Sequence, residues 1–331
     1  SNSENTDLND FKFLEIDIIA LNNGYKNGNF TIEEVIKAYI ERIEKIDQNG
    51  PKLNSVIEIN PEAISIAKAL DQELKNNGSR GYLHGVPILL KDNIDTNDQM
   101  STTAGSRALA GSKPLKDSKV AEKLRKAGAV ILGKANLSEW ANFRGKRSTS
   151  GWSGINGQTK NPYVLTRNPC GSSSGSGVSV SANLTLLAIG TETNGSIVCP
   201  STVNGVVGIK PTVGLISRSG IIPISYTQDT AGPMARSVQD AAICLGFLTG
   251  VDENDKKTIT SLDNTYDDYT QFLNKNGLKG KRIGVYSGPL GLNDKVDSLF
   301  KKSVDLIKKM GAEIIEIEKV SSSEARSHSF Q

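Results

Sequence analysis

Cysteine, histidine and long apolar runs are scarce in this sequence of 331 residues. The three cysteines, Cys170, Cys199 and Cys244, form neither a C-x-x-C pair nor a metal-binding spacing. We therefore expect reduced thiols and no metal site. No apolar run reaches the roughly 18 residues of a transmembrane helix, so we expect no membrane span and a cytoplasmic location.

The charge of the chain is close to balanced, with 39 Lys and Arg against 36 Asp and Glu and a formal net charge of +3. The sequence contains no basic run and no patch of interleaved basic and aromatic residues. It therefore gives no electrostatic reason to expect a nucleic-acid or membrane partner. At this length, one large domain and two smaller ones are both compatible with a buried core.

Apolar periodicity and capping residues predict helices and strands along most of the chain. Helices are predicted over residues 31–46, 61–74, 117–127, 136–143, 237–248 and 294–310. Strands are predicted over 54–59, 86–90, 129–132, 206–209, 215–216, 282–286 and 312–317, with a loop over 228–233 and an exposed excursion over 251–277. The alternation of the two element types indicates an α/β protein with crossover helices.

The stretch from Pro169 to Pro200 is the most unusual part of the sequence. A loop of small residues precedes an apolar segment, and a second small-residue turn ends in a serine. The loop between Gly171 and Gly177 contains four serines and three glycines. Glycine lets the backbone approach a ligand closely, and serine adds a short donor and acceptor. The composition of this stretch therefore predicts an active site.

A serine nucleophile needs a base, and histidine is a poor candidate for it here. The chain has two histidines, His84 and His328, and both positions are typical of a loop or surface histidine, which argues against a Ser-His-Asp triad. A lysine can replace histidine if burial lowers its pKa toward neutrality. Lys91, Lys134 and Lys210 all follow apolar runs, and composition alone does not choose among them.

Four segments together resemble the amidase signature family. They are GVPILLKDNID at 85–95, PCGSSSGSG at 169–177, GTETNGSIVCP at 190–200 and NGVVGIKPTVG at 204–214, within a resemblance from about residue 30 to about residue 250. The resemblance implies a Ser-cisSer-Lys triad, with Lys91 as base, Ser172 as bridging serine and Ser196 as nucleophile. The separation of the two serines, 196 − 172 = 24 positions, matches the family pattern. Ser172 is then expected to follow Gly171 through a cis peptide bond.

The same resemblance implies further roles around the nucleophile. The backbone N–H groups of Thr193, Asn194, Gly195 and Ser196 are the implied oxyanion donors. Ser173 is implied to be a hydrogen-bonding residue of the active site. The implied mechanism uses no metal and no cofactor.

The turn before the nucleophile departs from the family pattern, which is usually GTDTGGS where this chain has GTETNGS at 190–196. Asn194 tolerates left-handed backbone angles, so we expect the turn to be kept. Together with Cys170 and Cys199, the variant is most similar to the peptide amidase branch, whose members remove the C-terminal amide of peptides. Thr191 and Asp229 are expected to support the local structure.

The resemblance also implies the architecture, an amidase-signature fold with a central mixed β-sheet flanked by helices on both faces. It implies one domain over residues 1–331, with the signature core at about 80–250 and the C-terminal part of the sheet missing. The implied function is cleavage of a carboxamide bond in a small-molecule or peptide amide through an acyl-enzyme. Two alternatives stay open. They are the glutamine-hydrolysing subunit of a tRNA-dependent amidotransferase and an inactive, truncated amidase-like chain.

Overall fold

The computed structural model describes residues 10–318, which form two compact units that divide between Thr270 and Gln271. The helices of the first unit are α1 (Ile18–Lys26), α2 (Ile32–Arg42), α3 (Ala63–Asn77), α4 (Lys119–Lys126), α5 (Ser174–Ser181), α6 (Val198–Val203) and α7 (Val238–Leu248). That all 331 residues form one domain stays a prediction. That the C-terminal part of its sheet is missing also stays a prediction.

The strands of the first unit form one large sheet and one small hairpin. They are β1 (Val56–Ile59), β2 (Pro87–Lys91), β3 (Val130–Ala135), β4 (Trp152–Ser153), β5 (Gly157–Gln158), β6 (Leu187–Glu192), β7 (Val207–Gly208) and β8 (Thr230–Ala235). β4 and β5 pair as the hairpin, and the other strands form a sheet in the order β1-β3-β2-β6-β8-β7. β2 is parallel to both β3 and β6, whereas the remaining pairs are antiparallel. The sheet is therefore mixed, as predicted.

The core lies around the central strands of this sheet. β2, β3, β6 and β8 are buried along their whole length. Strands covered on both faces need near-continuous apolar sequence, and the segment PILL of β2 supplies it. Helices α2, α3 and α4 contact β3, α5 contacts β2 and β6, and α7 contacts β8. The predicted fold class, a central mixed sheet flanked by helices, is confirmed.

Capping side chains determine the starts of two of the predicted helices, those over 31–46 and 237–248. Thr31 accepts a hydrogen bond from the Glu34 N–H, and the Glu34 side chain accepts one from the Thr31 N–H, which makes a capping box at the start of α2. Ser237 caps α7 by accepting from the Asp240 N–H. No helix within residues 10–318 is both long enough and apolar enough to span a bilayer.

The predicted helix over residues 136–143 is wrong. The chain forms only a 3₁₀ turn at Glu139–Asn142, because Trp140 and Ala141 have φ of 52° and lie in the left-handed region. A left-handed residue cannot continue a right-handed helix.

Two loop predictions are also wrong. Within 228–233 the strand β8 begins at Thr230 and pairs with β6, although its small residues show no alternating pattern. Within 171–177 the helix α5 begins at Ser174, despite the weak helix propensity of its glycines and serines. Every residue of α5 from Ser174 to Val180 is buried, so packing overrides propensity.

The second unit contains β9 (Arg282–Tyr286), α8 (Asp294–Lys309) and β10 (Glu313–Ile317), with β9 parallel to β10. These elements confirm the predictions over 282–286, 294–310 and 312–317. His328 lies outside the described residues.

Candidate active site

Lys91 is the last residue of β2 and is fully buried. Its Nζ lies 2.7 Å from Ser172 Oγ, 2.8 Å from Thr191 Oγ1 and 3.1 Å from the Thr191 carbonyl oxygen. Thr191 belongs to the neighbouring strand β6, and Ser172 lies just before α5. The fold therefore brings the predicted base into hydrogen-bond contact with the predicted bridging serine.

The charge state of Lys91 is set mainly by its burial. Loss of hydration lowers the pKa of the Lys91 ammonium from 10.5 to about 7, because an apolar environment disfavours the charged form. The carboxylates of Glu192 and Asp229 act in the opposite direction and raise the pKa of Lys91. Near neutral pH a large fraction of Lys91 is therefore a neutral amine, the form that a base requires.

The hydrogen-bond partners of Lys91 are compatible with that neutral form. A neutral amine keeps two N–H donors and one lone pair. The carbonyl oxygen and Oγ1 of Thr191 can accept the two N–H groups. The lone pair then faces the Ser172 hydroxyl, which becomes the donor of that bond. Loss of a proton from Lys91 thus turns Ser172 from acceptor into donor.

Ser172 is buried and follows Gly171 through the cis peptide bond that the resemblance implied. The glycines around it allow the loop to pack closely. A Cβ at Gly171 would lie 2.3 Å from Ser138 Oγ, and one at Gly175 would lie 2.2 Å from the Ser55 carbonyl oxygen. Both distances are shorter than non-bonded atoms tolerate, so the small residues are required for α5 to approach β1 and β3.

Ser196 lies half-buried in the turn between β6 and α6. Its carbonyl oxygen accepts a hydrogen bond from the Ser173 N–H at 3.1 Å, so this turn lies against the loop that contains Ser172. Within residues 10–318 the Ser196 hydroxyl makes no hydrogen bond, which leaves it available to a substrate. The left-handed residue of the turn is Gly195, with φ of 83°, and not Asn194 as the sequence suggested.

The backbone N–H groups of the turn divide into two sets. The Gly195 N–H donates to Glu192 Oε1 at 2.7 Å, so in this arrangement it does not serve the predicted role of oxyanion donor. The N–H groups of Thr193, Asn194 and Ser196 donate to no other group in the described part of the chain. These three stay the predicted oxyanion donors.

Glu192 is a residue of the site that the sequence analysis did not assign. Its buried carboxylate accepts the N–H groups of Gly195 and Ile197 at 2.7 Å each and that of Val198 at 3.0 Å. An acidic side chain at the start of a helix satisfies its unpaired N–H groups and interacts favourably with its dipole. The signal was the acidic residue in GTETNGS, which stands where the family pattern has aspartate.

Ser173 and Asn93 both contact Thr191. The buried Ser173 hydroxyl donates to the Thr191 carbonyl oxygen at 3.0 Å and accepts from the Thr191 N–H at 3.2 Å. Asn93 Nδ2 donates to Thr191 Oγ1 at 3.0 Å. Thr191 therefore connects Lys91 to Asn93 and Ser173, in agreement with its expected supporting role. Substrate binding by Ser173 stays a prediction.

Asp229 has the supporting role that was expected of it. Its Oδ1 accepts from Thr193 Oγ1 at 2.5 Å, and its Oδ2 accepts from the N–H groups of Ile224 and Ser225 at 2.8 Å each. One carboxylate thus joins the turn at 193–196 to residues 224–225.

A disulfide joins Cys170 to Cys199, so the prediction of reduced thiols is wrong for these two residues. They are 29 positions apart in sequence, but their Cα atoms are 6.0 Å apart, because the loop before Ser172 lies beside α6. Sequence spacing does not show which cysteines meet in space. Cys244 is a free, buried thiol.

The other candidate bases lie elsewhere. Lys134 is buried, but its Nζ donates to the Ile94 carbonyl oxygen at 2.7 Å and to Thr102 Oγ1 at 2.9 Å. Lys210 is exposed. His84 is buried with Nε2 3.1 Å from the Leu70 carbonyl oxygen. Among residues 10–318, Lys91 is the candidate base that contacts a predicted catalytic serine.

The mixed sheet, the buried lysine and the serine loop define an α/β protein with a serine–lysine site. A family model described as Amidase matches residues 34–330. The match begins near the start of the resemblance shown by the motifs and extends past its end at about residue 250. The chain therefore belongs to the Amidase family.

Individual relatives agree with this assignment. A probable amidase of Arabidopsis thaliana is 46% identical over 308 residues, which cover 92% of this chain and 58% of that protein. The X-ray structure of native peptide amidase from Stenotrophomonas maltophilia is similar with a TM-score of 0.90 and 50% identity, covering 93% of this chain and 63% of that one. A glutamyl-tRNA(Gln) amidotransferase subunit of Cyanothece sp. is 40% identical over 280 residues, or 84% of this chain and 56% of that protein. The chain thus spans somewhat more than half the length of these relatives.

Proposed function

We propose that this chain is an amidohydrolase that cleaves a carboxamide bond, with Ser196 as nucleophile, Ser172 as proton bridge and Lys91 as base. The observation that carries the proposal is the 2.7 Å contact between Lys91 Nζ and Ser172 Oγ, where burial lowers the pKa of the lysine to about 7. A general base is most effective when its pKa lies near the working pH.

In the proposed first step a proton moves from Ser196 to Lys91 through Ser172. Neutral Lys91 accepts the proton of the Ser172 hydroxyl while Ser172 Oγ accepts the proton of Ser196, because a hydroxyl can donate and accept together. The Ser196 oxygen forms a bond to the amide carbon, and the carbonyl π electrons move to the oxygen. The N–H groups of Thr193, Asn194 and Ser196 stabilise this oxyanion, each by about 2.7 to 4 kcal/mol in comparable enzymes.

In the second step the tetrahedral intermediate collapses to an acyl-enzyme. Protonated Lys91 returns its proton through Ser172 to the leaving nitrogen, and the carbon–nitrogen bond breaks with release of ammonia or an amine. Water then attacks the acyl group on Ser196, with the same residues accepting and returning the proton. The scheme uses no metal and no cofactor.

The proposed substrate is the C-terminal amide of a peptide, or a small amide of similar chemistry. The 50% identity to a peptide amidase supports this substrate class. The second candidate is the glutamine-hydrolysing component of an amidotransferase, supported by the 40% identity to the Cyanothece protein. Hydrolysis of peptide amides by the isolated chain would favour the first candidate, and activity that appears only with copurifying partner proteins would favour the second.

The compartment is part of the proposal. Disulfides persist in oxidising compartments and are rare in the cytosol. The bridge between Cys170 and Cys199 therefore favours an oxidising compartment over the cytoplasm expected from the sequence.

The proposal is tested by the intact mass of the protein after incubation with a fluorophosphonate, which reacts with activated serines. We expect one adduct on the chain, and none on the Ser196→Ala variant. Ser303→Ala, which removes an exposed serine of α8, is the matched control and should keep the adduct. An adduct that survives Ser196→Ala would rule out Ser196 as nucleophile. Absence of any adduct on a chain that is folded by circular dichroism would favour the inactive alternative.

A further inference from the structure

An apolar pocket of about 270 Å³ adjoins the candidate active site. Most of its wall is aromatic and aliphatic, and one polar side chain contributes to it. Its lining includes Asn93, Trp140, Phe143, Ile222, Pro223 and Ile224. Pockets for small ligands typically combine apolar walls with a few placed polar groups.

Asn93 connects this pocket to the predicted base. Its Nδ2 donates to Thr191 Oγ1 at 3.0 Å, and Thr191 Oγ1 lies 2.8 Å from Lys91 Nζ. The pocket wall is therefore two hydrogen bonds away from Lys91. A group bound in the pocket therefore lies near the predicted base.

The walls of the pocket are fixed to the chain that follows Lys91. The Ile222 N–H donates to the Asn93 carbonyl oxygen at 2.9 Å, and the Ala104 N–H donates to the Asp92 carbonyl oxygen at 2.8 Å. The Trp140 N–H in turn donates to the Ala104 carbonyl oxygen at 2.9 Å. Each wall is thus connected by backbone hydrogen bonds to residues 92–93. The pocket is formed before any substrate binds, so binding requires little ordering of the protein.

The opposite wall of the pocket is connected to the turn at 193–196, which contains the predicted nucleophile. Asp229 accepts the Ile224 N–H at 2.8 Å and the Thr193 hydroxyl at 2.5 Å. The same carboxylate therefore sets the distance between the pocket and the predicted oxyanion donors.

The polar member of the wall has an unused acceptor. Asn93 is 3% exposed, and its Oδ1 has no hydrogen-bond partner among the described residues 10–318. A buried polar atom without a partner is unfavourable, and a ligand that carries an N–H donor can satisfy it. An amide with an apolar side chain has an N–H donor for the Asn93 Oδ1 acceptor and apolar surface to pack against the walls of this pocket.

We propose that this pocket binds an apolar side chain of the substrate next to the scissile amide, with a preference for a side chain of leucine or phenylalanine size over glycine. The proposal rests on the amidase function proposed above and names the class of amide on which the site acts. Burying a side chain of four carbons against apolar walls favours the larger substrate by at least about tenfold.

The test compares kcat/KM for N-acetyl-leucine amide and N-acetyl-glycine amide. We expect the chain to prefer the leucine amide at least tenfold, and Ile224→Trp, which fills the pocket, to lower this ratio at least tenfold. Ile259→Trp is the matched control, because Ile259 is 57% exposed and does not line the pocket, and it should keep the ratio. Equal kcat/KM for the two amides, or an unchanged ratio in Ile224→Trp, would overturn the proposal while leaving the amidase function intact.

A binding measurement separates this proposal from the proposed function. Calorimetric titration of the Ser196→Ala variant with the two amides should show tighter binding of the leucine amide, and adding Ile224→Trp should remove the difference. That result, combined with a Ser196-containing chain that does not turn over either amide, would support the pocket and contradict the amidase activity. Equal binding of both amides, unaffected by Ile224→Trp, would contradict the pocket whatever the activity.

Discussion

Two lysines are buried at neighbouring strand ends of the same sheet, and their surroundings differ. In the parallel pair of β2 and β3, Lys134 is in register with Leu90, one residue before Lys91. Successive residues of a strand point to opposite faces, so the two lysines leave the sheet on opposite sides. Both are fully buried, and burial lowers the pKa of each ammonium.

The neighbours of each lysine decide what it can do. Lys91 makes its hydrogen bonds to the uncharged Ser172 and Thr191. Lys134 also has uncharged hydrogen-bond partners, the Ile94 carbonyl oxygen and Thr102 Oγ1. Nearby carboxylates raise the pKa of both lysines against the effect of burial, Glu192 foremost for Lys91 and Asp92 foremost for Lys134. The two lysines differ in which hydroxyl they contact, because Ser172, the contact of Lys91, lies in the loop beside the Ser196 turn, whereas Lys134 contacts Thr102. A buried lysine is therefore a candidate base when the hydroxyl that it contacts lies beside a second serine.

The largest expected effect separates the two lysines by activity. Lys91→Met should lower kcat by at least about 10³-fold, because no other base among residues 10–318 is in contact with Ser172. Lys134→Met should keep kcat per folded molecule within about tenfold. Both are measured as ammonia release from a peptide amide, with the folded fraction taken from circular dichroism. Near-normal activity of Lys91→Met at neutral pH would remove Lys91 from the mechanism.

The next largest effect concerns stability, where replacing Lys134 should be more damaging than replacing Lys91. Lys134→Met should lower the free energy of unfolding by about 1 to 3 kcal/mol, because it removes the buried hydrogen bonds to the Ile94 carbonyl oxygen and Thr102 Oγ1 and the positive charge near Asp92. Lys91→Met should lower it less, since Thr191 Oγ1 keeps its hydrogen bond from Asn93 and the Thr191 carbonyl oxygen keeps its hydrogen bond from Ser173. Urea unfolding measures both. Adding Asp92→Asn to Lys134→Met should recover part of the loss, and a loss unchanged by that second substitution would contradict the role given to Asp92.

The smallest effect concerns pH. The pKa of Lys91 is lowered to about 7, so the neutral form that accepts a proton increases as the pH rises through that value. Below about pH 7, kcat/KM should therefore rise about tenfold per pH unit, and above it the profile should level off. Lys134→Met should leave this midpoint in place. A profile that is flat from pH 5 to 7, or that falls as pH rises, would contradict a lysine base of this pKa.

Much of the site was predictable from its sequence pattern. The apolar run at 86–90 placed Lys91 at the end of a buried strand, and the motifs placed Ser172 and Ser196 in loops. These positions depend on local sequence, and the structure brings Lys91 and Ser172 together as the resemblance implied. The predicted helix at 31–46 and its capping box were likewise encoded in adjacent residues.

The contacts that hold the site in place were less predictable, because they join residues far apart in sequence. Glu192 binds the N–H groups of a turn whose shape depends on Gly195. Strand β8 has the small-residue sequence TAGPMA and is recognisable as a strand from its pairing with β6. The disulfide was missed for the same reason, since an odd number of cysteines says nothing about which two become neighbours.

That disulfide changes the topology of the covalent chain. Along the backbone, 24 positions separate Ser172 from Ser196. Through the bridge, the path between them passes only through Gly171, Cys170, Cys199, Val198 and Ile197. Two residues held at the ends of so short a tether stay near each other even in an unfolded chain, which lowers the entropy lost in bringing them together. While the bridge is intact, a loss of tertiary structure therefore leaves Ser172 and Ser196, the predicted bridging serine and nucleophile, joined by a short covalent path.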